Sequence, residues 1–341
     1  MFISKLPRIF ADPDLALDLG TANTRLYALG LGMVADEPST VNRGRGSEAS
    51  ERLELERSAG SSSIVRRVAP LRSGVITDVD AATQLLEPLV RRAQRFGLIK
   101  PRAIACAPTD VSETEREALI EATRRAGVSA VKVVPEPLAA AVGAGLDLSL
   151  PYAQMLVDIG DGVTDIAVIR SGELVKTAAI RLACSDMHEA VRRMVARSHK
   201  IVLYRHEAER LVEEIGAVEG AYTEALASEA SGVHYLRRGE EQALVSSREV
   251  SEAIQPVVRA IMEKVRETLR HLNPQLAVEV IESGITLTGG GAQLKGISEL
   301  MASETSMEVR LAANPLHSVI NGASQMLSVG TSIGIWDSAQ R

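Results

Sequence analysis

Apolar residues in this chain fall into short unbroken runs that alternate with longer amphipathic stretches. Leu15 to Leu19 is such a run and reads as a strand, followed by a tight turn and a second strand through Leu26 to Leu29. The second half of the chain repeats this opening. Met155 to Ile159 is a strand, Gly160 to Val163 a turn, and Thr164 to Ile169 a returning strand; Arg170-Ser171-Gly172 then turns into Leu174 to Ala178. Two more apolar runs predict strands at Ile104 to Ala107 and at Ile285 to Thr288. Helical spacing predicts helices at Ala81 to Arg95, Glu113 to Ala126, Asp186 to Val195, His206 to Ile215 and Glu249 to Leu272. Pro88 is the weak point of the first, and Asn273-Pro274 ends the last. Residues Asn42 to Ser63 are polar and lack a clear period, as a loop or a poorly defined small subdomain would. Strands that alternate with helices predict an α/β fold.

The two strand–turn–strand units centre on Asp18 and Asp158, 140 residues apart. Two related halves point to an internal duplication, and so to two lobes whose turns face each other across a cleft. A length of 341 residues suits two such lobes. A net charge of −6 gives no basis for general affinity to nucleic acid. Cys106 and Cys184 follow no metal or redox spacing and are expected to be reduced thiols in the cytosol. No run approaches the roughly 18–20 apolar residues that cross a bilayer, and Met1 to Phe10 is too short and too interrupted for a signal peptide. The expectation is a protein that is not exported.

The turns carry the candidate chemistry. The first unit reads Asp18-Leu19-Gly20-Thr21-Ala22-Asn23-Thr24, the second Asp158-Ile159-Gly160-Asp161-Gly162-Val163-Thr164. In each, an acid near a strand end precedes a glycine turn whose backbone N–H groups can approach an anion, with hydroxyl donors beside it. Asp18 and Asp158 are candidates to hold Mg²⁺, through water, because Mg²⁺ keeps much of its hydration shell. Gly289-Gly290-Gly291, directly after a strand, is a third point of backbone approach. Any one of these turns alone reads as a plain hairpin; the two turns and the triple glycine together read as a phosphate site.

These residues resemble the MreB family of bacterial actin-like proteins, within the actin, Hsp70 and sugar-kinase superfamily. Asp18 to Thr24 resembles the family's first phosphate loop. Glu136-Pro137-Leu138-Ala139-Ala140-Ala141-Val142-Gly143 resembles its connecting helix, and Leu287 to Ala292 its adenosine-side glycine motif. Gly74 to Asp78 and Asn314-Pro315-Leu316 also fit. The resemblance implies an actin-like fold, with four subdomains around an ATP cleft. Residues 1–144 with 310–341 would form one domain, its small polar subdomain at about 37–72. Residues 145–309 would form the other, its small subdomain at about 190–250. It implies ATP and Mg²⁺ as ligands, with Glu209, Arg210, Glu213 and Ala292 joining the turn residues as nucleotide contacts. It further implies homopolymeric filaments, slow ATP hydrolysis, and a role beside the cell-wall elongation machinery in setting rod shape.

The chain also departs from the family pattern. Cys184 stands where a glycine is usual and Val212 where a lysine is usual, changes that act against nucleotide affinity. The second turn reads Gly-Asp-Gly-Val-Thr, as in eukaryotic actin, and the stretch from Pro38 to Pro70 is shorter and more polar than usual. A paralogue that assembles without effective turnover is therefore the runner-up. A small-molecule kinase would need an aspartate base by a substrate pocket, and none is legible.

By the same resemblance Glu115 is the candidate to orient the attacking water. Ser112-x-x-Glu115 is equally a helix capping box, and both roles stand, with Glu113 as the fallback. The three phenylalanines, Phe2, Phe10 and Phe96, fall in two places. Phe2, Ile3, Leu6, Ile9 and Phe10 are interleaved with Lys5 and Arg8, and Leu98-Ile99 follows Phe96 in a loop resembling the family's membrane-inserting loop. Two such weak patches, repeated along a filament, predict peripheral attachment to the inner face of the cytoplasmic membrane. The six histidines are read as surface or cap residues.

Overall fold

The computed structural model describes residues 13–42, 54–57, 64–94, 99–221 and 226–333. Two five-stranded sheets dominate it, and they share one plan. In the first, Leu15–Leu19, Asn23–Ala28 and Gly32–Pro38 form an antiparallel meander, and Arg102–Ala107 and Ala130–Pro135 add parallel strands on the other side of Leu15–Leu19. In the second, Gln154–Ile159, Thr164–Arg170 and Glu173–Ile180 form the meander, and Ile285–Thr288 and Val309–Leu311 add the parallel strands. The register matches too: Asp18 lies opposite Arg25 and Asp158 opposite Asp165. The duplication read from two turns thus extends to whole sheets.

Central strands are buried on both faces, which explains their unbroken apolar runs. Every residue of Leu15–Leu19 is buried. Helices cover the faces. Val79–Ala93 buries Leu85, Leu86, Leu89 and Val90 against the first sheet and runs straight through Pro88. The apolar stripe outweighs the hydrogen bond that proline forfeits. Ser247–Arg270 does the same for the second sheet and tolerates Pro256. Asn273 does more than close a helix: its side chain accepts from Leu276 N–H at 2.9 Å and starts a further helix, Pro274–Ser283, which the sequence reading missed.

Two smaller sheets sit beside the large ones. Ile201–Leu203, Ala227–His234 and Glu240–Ser246 form one, and Val41–Asn42, Glu54–Arg57 and Ile64–Val68 the other. Of the two readings of the polar stretch, a loop or a small subdomain, these strands favour the second. Helix Glu136–Gly143 crosses helix Ser318–Ile333 between the two large sheets. One side of the crossing packs on Ala16 and Ile104 of the first sheet, the other on Leu156 and Ala167 of the second. Among the described residues no helix is long and apolar enough to cross a membrane.

Candidate functional site

Both hairpin turns close in the same way. Gly20 N–H donates to Asn23 O at 3.1 Å, and Gly160 N–H donates to Val163 O at 3.0 Å. Each turn is then anchored from below. Ser39 Oγ donates to Gly20 O at 2.6 Å and shares a hydrogen bond with Thr24 Oγ1 at 2.8 Å. Thr164 Oγ1 donates to Leu182 O at 2.8 Å, and Ser185 donates to Asp161 O through both its N–H and its hydroxyl. The two turns meet: a Cβ added at Gly162 would lie 2.4 Å from Thr21 Oγ1, and that hydroxyl already accepts from Gly74 N–H at 2.9 Å.

Around the turns lies a cleft of about 880 Å³, within the range of small-molecule sites. Of the residues expected to bind nucleotide, Asp18, Gly20, Thr21, Ala22, Asn23, Asp158, Gly160, Asp161, Gly162, Val163, Glu209, Glu213, Gly289, Gly290 and Gly291 line it. Four expected contacts do not. Thr24 and Thr164 are fully buried beneath their turns, and their hydroxyls are spent on the anchoring bonds above. Ala292 is buried in the core of the second lobe. Arg210 faces away: it pairs with Glu207 and Glu214 and donates to Ser228 Oγ, tying its helix, Arg205–Ile215, to the small sheet. Cys184 and Val212, the two departures, both line the cleft.

Glu115 is also absent from the lining. It completes the capping box, accepting from Ser112 N–H at 2.8 Å, and Arg181 grips both its carboxylate oxygens at 3.1 and 3.3 Å. Arg181 follows the edge strand of the second sheet and also donates to Asp110 Oδ2 at 3.0 Å. Glu115 is therefore half of a clamp between the lobes, and the Arg181 guanidinium holds its carboxyl below the usual range. Glu113 is exposed on the same first turn. Phe2, Ile3, Leu6, Ile9, Phe10 and Leu98 lie outside the described residues, and Ile99 is half-buried.

Three cleft residues escaped the sequence reading. Glu136 stands at the start of the connecting helix and faces the cleft without a hydrogen bond to any described residue. Burial, then the charges of Asp165, Asp18 and Asp158, push its carboxyl well up. Arg25 lies opposite Asp18 in the hairpin and reaches the same cleft; a seven-residue spacing across a tight turn was the legible signal. His188, expected at the surface, is a cleft residue whose Nδ1 is buried without a partner, and burial lowers it to about 4. His234, also expected outside, is buried.

Asp18 and Asp158 are each 6% exposed. Burial raises Asp18, and it pushes Asp158 up to about 7 even though Thr288 Oγ1 donates to it at 2.8 Å. Asp165, bonded by Thr109, is raised to about 6. A carboxyl raised by folding holds its proton more tightly in the folded than in the unfolded chain. The stability this gives is complete at low pH and is lost as pH rises through about 7. The nucleotide-free protein is expected to melt at a lower temperature at about pH 8 than at about pH 6, and Asp158→Asn to flatten that slope. A melting temperature that rises over this range would show the two carboxyls are not buried this way.

The donor set suits Mg²⁺. It consists of hard carboxylate oxygens, yet among the described residues no three His, Cys, Asp or Glu side chains converge as a metal cage. That fits an ion held mainly by water and ligand phosphates.

Two lobes of identical sheet plan, joined by crossing helices and facing each other over paired phosphate turns, define the actin-like class of fold. Solved structures agree. MreB 5 of Spiroplasma citri bound to AMPPNP superposes with a TM-score of 0.83 at 29% identity, over 94% of this chain and 98% of that one. The MamK double helical filament matches in fold, with a TM-score of 0.70 at 19% identity over 92% of this chain and 99% of that one. The sequence pattern of the family described as MreB/Mbl protein matches residues 12–333, and the chain belongs to that family. It is 34% identical to the cell shape-determining protein Mbl of Bacillus cereus, over 92% of this chain and 95% of that protein. It is 33% identical to the cell shape-determining protein MreB of Escherichia coli, over 93% of each.

Proposed function

We propose that this chain binds ATP with Mg²⁺ in the cleft, hydrolyses it slowly, and assembles into filaments on the inner face of the cytoplasmic membrane that direct cell-wall synthesis and cell shape. The observation that carries the reading is the meeting of two equivalent phosphate turns, one from each lobe, over a single cleft in a member of the MreB/Mbl family. The related Spiroplasma proteins were solved with AMPPNP and with ADP, which supports a nucleotide here. Curated relatives named for cell shape support the cellular role.

The backbone N–H groups of the two turns cradle the phosphates, and Asp18 and Asp158 hold the hydrated Mg²⁺, which neutralises phosphate charge. Glu209 and Glu213 face the adenosine side. Glu136, in place of Glu115, orients the attacking water. The domain division expected above places the hinge at the helix crossing. Membrane attachment rests on the apolar–basic composition of Phe2 to Phe10 and on Leu98-Ile99.

The second reading is a filament scaffold with little turnover. It is favoured by Cys184 and Val212, which line the cleft where the family pattern has glycine and lysine. One experiment separates the readings: sedimentation of the purified protein over vesicles of anionic lipid with ATP, with ADP and without nucleotide, while phosphate release is followed. ATP-dependent co-pelleting with slow phosphate release is the expected result. Pelleting that ignores nucleotide favours the scaffold, and no pelleting at any concentration overturns the filament reading.

A further inference from the structure

At the phosphate end of the cleft the side chains are almost all acidic. Asp18, Asp158, Asp161 and Glu136 line it there. A nucleotide adds several more negative charges, and bringing them beside buried carboxylates in a low-dielectric site is costly. Of the cationic side chains that line the cleft among the described residues, Arg25, Arg205 and Lys295, only Arg25 belongs to one of the two turn hairpins. It springs from the strand directly opposite Asp18 and lines the cleft.

Its setting is unusual for an arginine. The side chain is only 11% exposed. Nη1 donates to Asp18 Oδ2 at a long 3.3 Å. Nε lies 3.1 Å from Asp36 Oδ1 but at an angle that makes no hydrogen bond, so it is buried without a partner. A planar guanidinium with an unspent donor, held beside the acid of the first phosphate turn and lining the cleft, matches the fork geometry that phosphate oxygens accept.

We propose that Arg25 is a phosphate-binding residue of this cleft, its guanidinium giving up the long Asp18 contact for oxygens of the nucleotide's phosphate chain while Asp18 turns to the hydrated cation. The assignment rests on the reading of the cleft as a nucleotide site. It gives the exchange a balanced charge: Asp18 loses one cationic partner and gains another, and the phosphates gain a fixed positive charge that stays in place when Mg²⁺ leaves. Asp36, on the neighbouring strand and held also by His317 Nε2 at 3.0 Å, keeps the arginine stem in position throughout.

The test is equilibrium binding of ATP, ADP and adenosine to the full chain and to Arg25→Met and Arg25→Lys, with melting curves to confirm that each variant folds. The expected result is that Arg25→Met loses about tenfold to a hundredfold in affinity for ATP and ADP, the worth of a charge-assisted hydrogen bond or two, while adenosine binds as before. Arg25→Lys recovers part of the loss, because it restores the charge without the fork. With Mg²⁺ chelated, the parent protein retains measurable ATP binding and Arg25→Met does not. Equal losses for ATP and adenosine would make Arg25 a structural residue and overturn the proposal, as would unchanged ATP affinity in a folded Arg25→Met. Failure of the parent chain to bind any of the three ligands would instead overturn the nucleotide reading, and this proposal with it. If Arg25→Met does not fold, Arg25→Lys decides: a loss of about tenfold for ATP and ADP with adenosine unchanged supports the proposal, and no loss for ATP overturns it.

Discussion

Gly143→Val abolishes the folded protein, and Gly322→Val does the same. The two glycines sit where helix Glu136–Gly143 crosses helix Ser318–Ile333. A Cβ at Gly143 would lie 1.9 Å from Ser318 O and 2.7 Å from Gly322 N; one at Gly322 would lie 1.8 Å from Ala139 O. All of these obstacles are backbone, so no side chain can swing aside. The helices cannot separate cheaply either. Ala139, Ala140 and Ala141 are fully buried, and so are Ile320, Ala323 and Leu327 on the partner. Parting the pair would open the cores of both sheets at once, because the crossing packs on each. Ordinary overpacking costs about 1–3 kcal/mol, and a clash of backbone with backbone belongs to the rarer class above about 4–5 kcal/mol. A domain stable by about 5–15 kcal/mol loses much or all of its margin. Soluble yield and thermal melting check this, with Gly239→Ala as control, since nothing lies within 4 Å of a Cβ there. Even Gly143→Ala carries the offending atom. A Gly143→Ala protein that melts with the parent would show that the crossing is looser than described.

The same crossing bears on function. It joins the two lobes, and the cleft lies at its end, where Glu136 begins the helix. Polar ties also join the lobes: Thr109 donates to Asp165 through N–H and hydroxyl, and Arg181 holds Glu115 and Asp110. A close-packed pivot with polar clasps beside it is suited to hinge motion, because hydrogen bonds exchange with water more readily than a packed core opens.

Much of this was legible in the sequence, for physical reasons. Strands buried on both faces must be apolar throughout, so Leu15–Leu19 and Gln154–Ile159 stood out, and the acid and glycine after each apolar run marked the turns. Ala230, Gly232 and Ser231 in the strand Ala227–His234 gave no such signal: that strand belongs to a small sheet with one face in water, and small polar residues fit it as well as they fit a loop. The roles of single side chains were legible only where local spacing set them. Ser112 and Glu115 form a capping box because they stand three positions apart, and the sequence could say so. It could not say that Arg181, 66 residues on, would take both oxygens of that carboxylate. Nor could it say that the threonines after each turn would point downward, or that Glu136 would share the cleft with aspartates of both lobes. Those are consequences of sheet pairing and lobe contact, which one-dimensional patterns do not carry.

That last placement yields the second large effect. Glu136→Gln is expected to cut ATP hydrolysis by at least about a hundredfold, the low end of what a positioned acid or base supplies, with ATP affinity kept or improved. Orienting water needs a carboxyl group that faces the cleft and has oxygen lone pairs to spare. Glu136 has both, since it lines the cleft and makes no hydrogen bond to any described residue. Affinity survives because glutamine keeps the shape and cannot set a negative charge beside the phosphates, Asp18 and Asp158. Glu115 has neither quality. Both its oxygens are engaged, by Ser112 and Arg181, and it lies off the cleft wall. Glu115→Ala is therefore expected to lower the melting temperature, through the lost N3 half of the capping box and a lost lobe clamp, while hydrolysis stays within a few-fold. Single-turnover phosphate release and nucleotide binding, measured on both variants, discriminate between the two glutamates. If Glu115→Ala stops hydrolysis and Glu136→Gln does not, the water is held from the clamp side, and the lobes must rearrange on binding nucleotide to free a carboxylate that Arg181 now occupies.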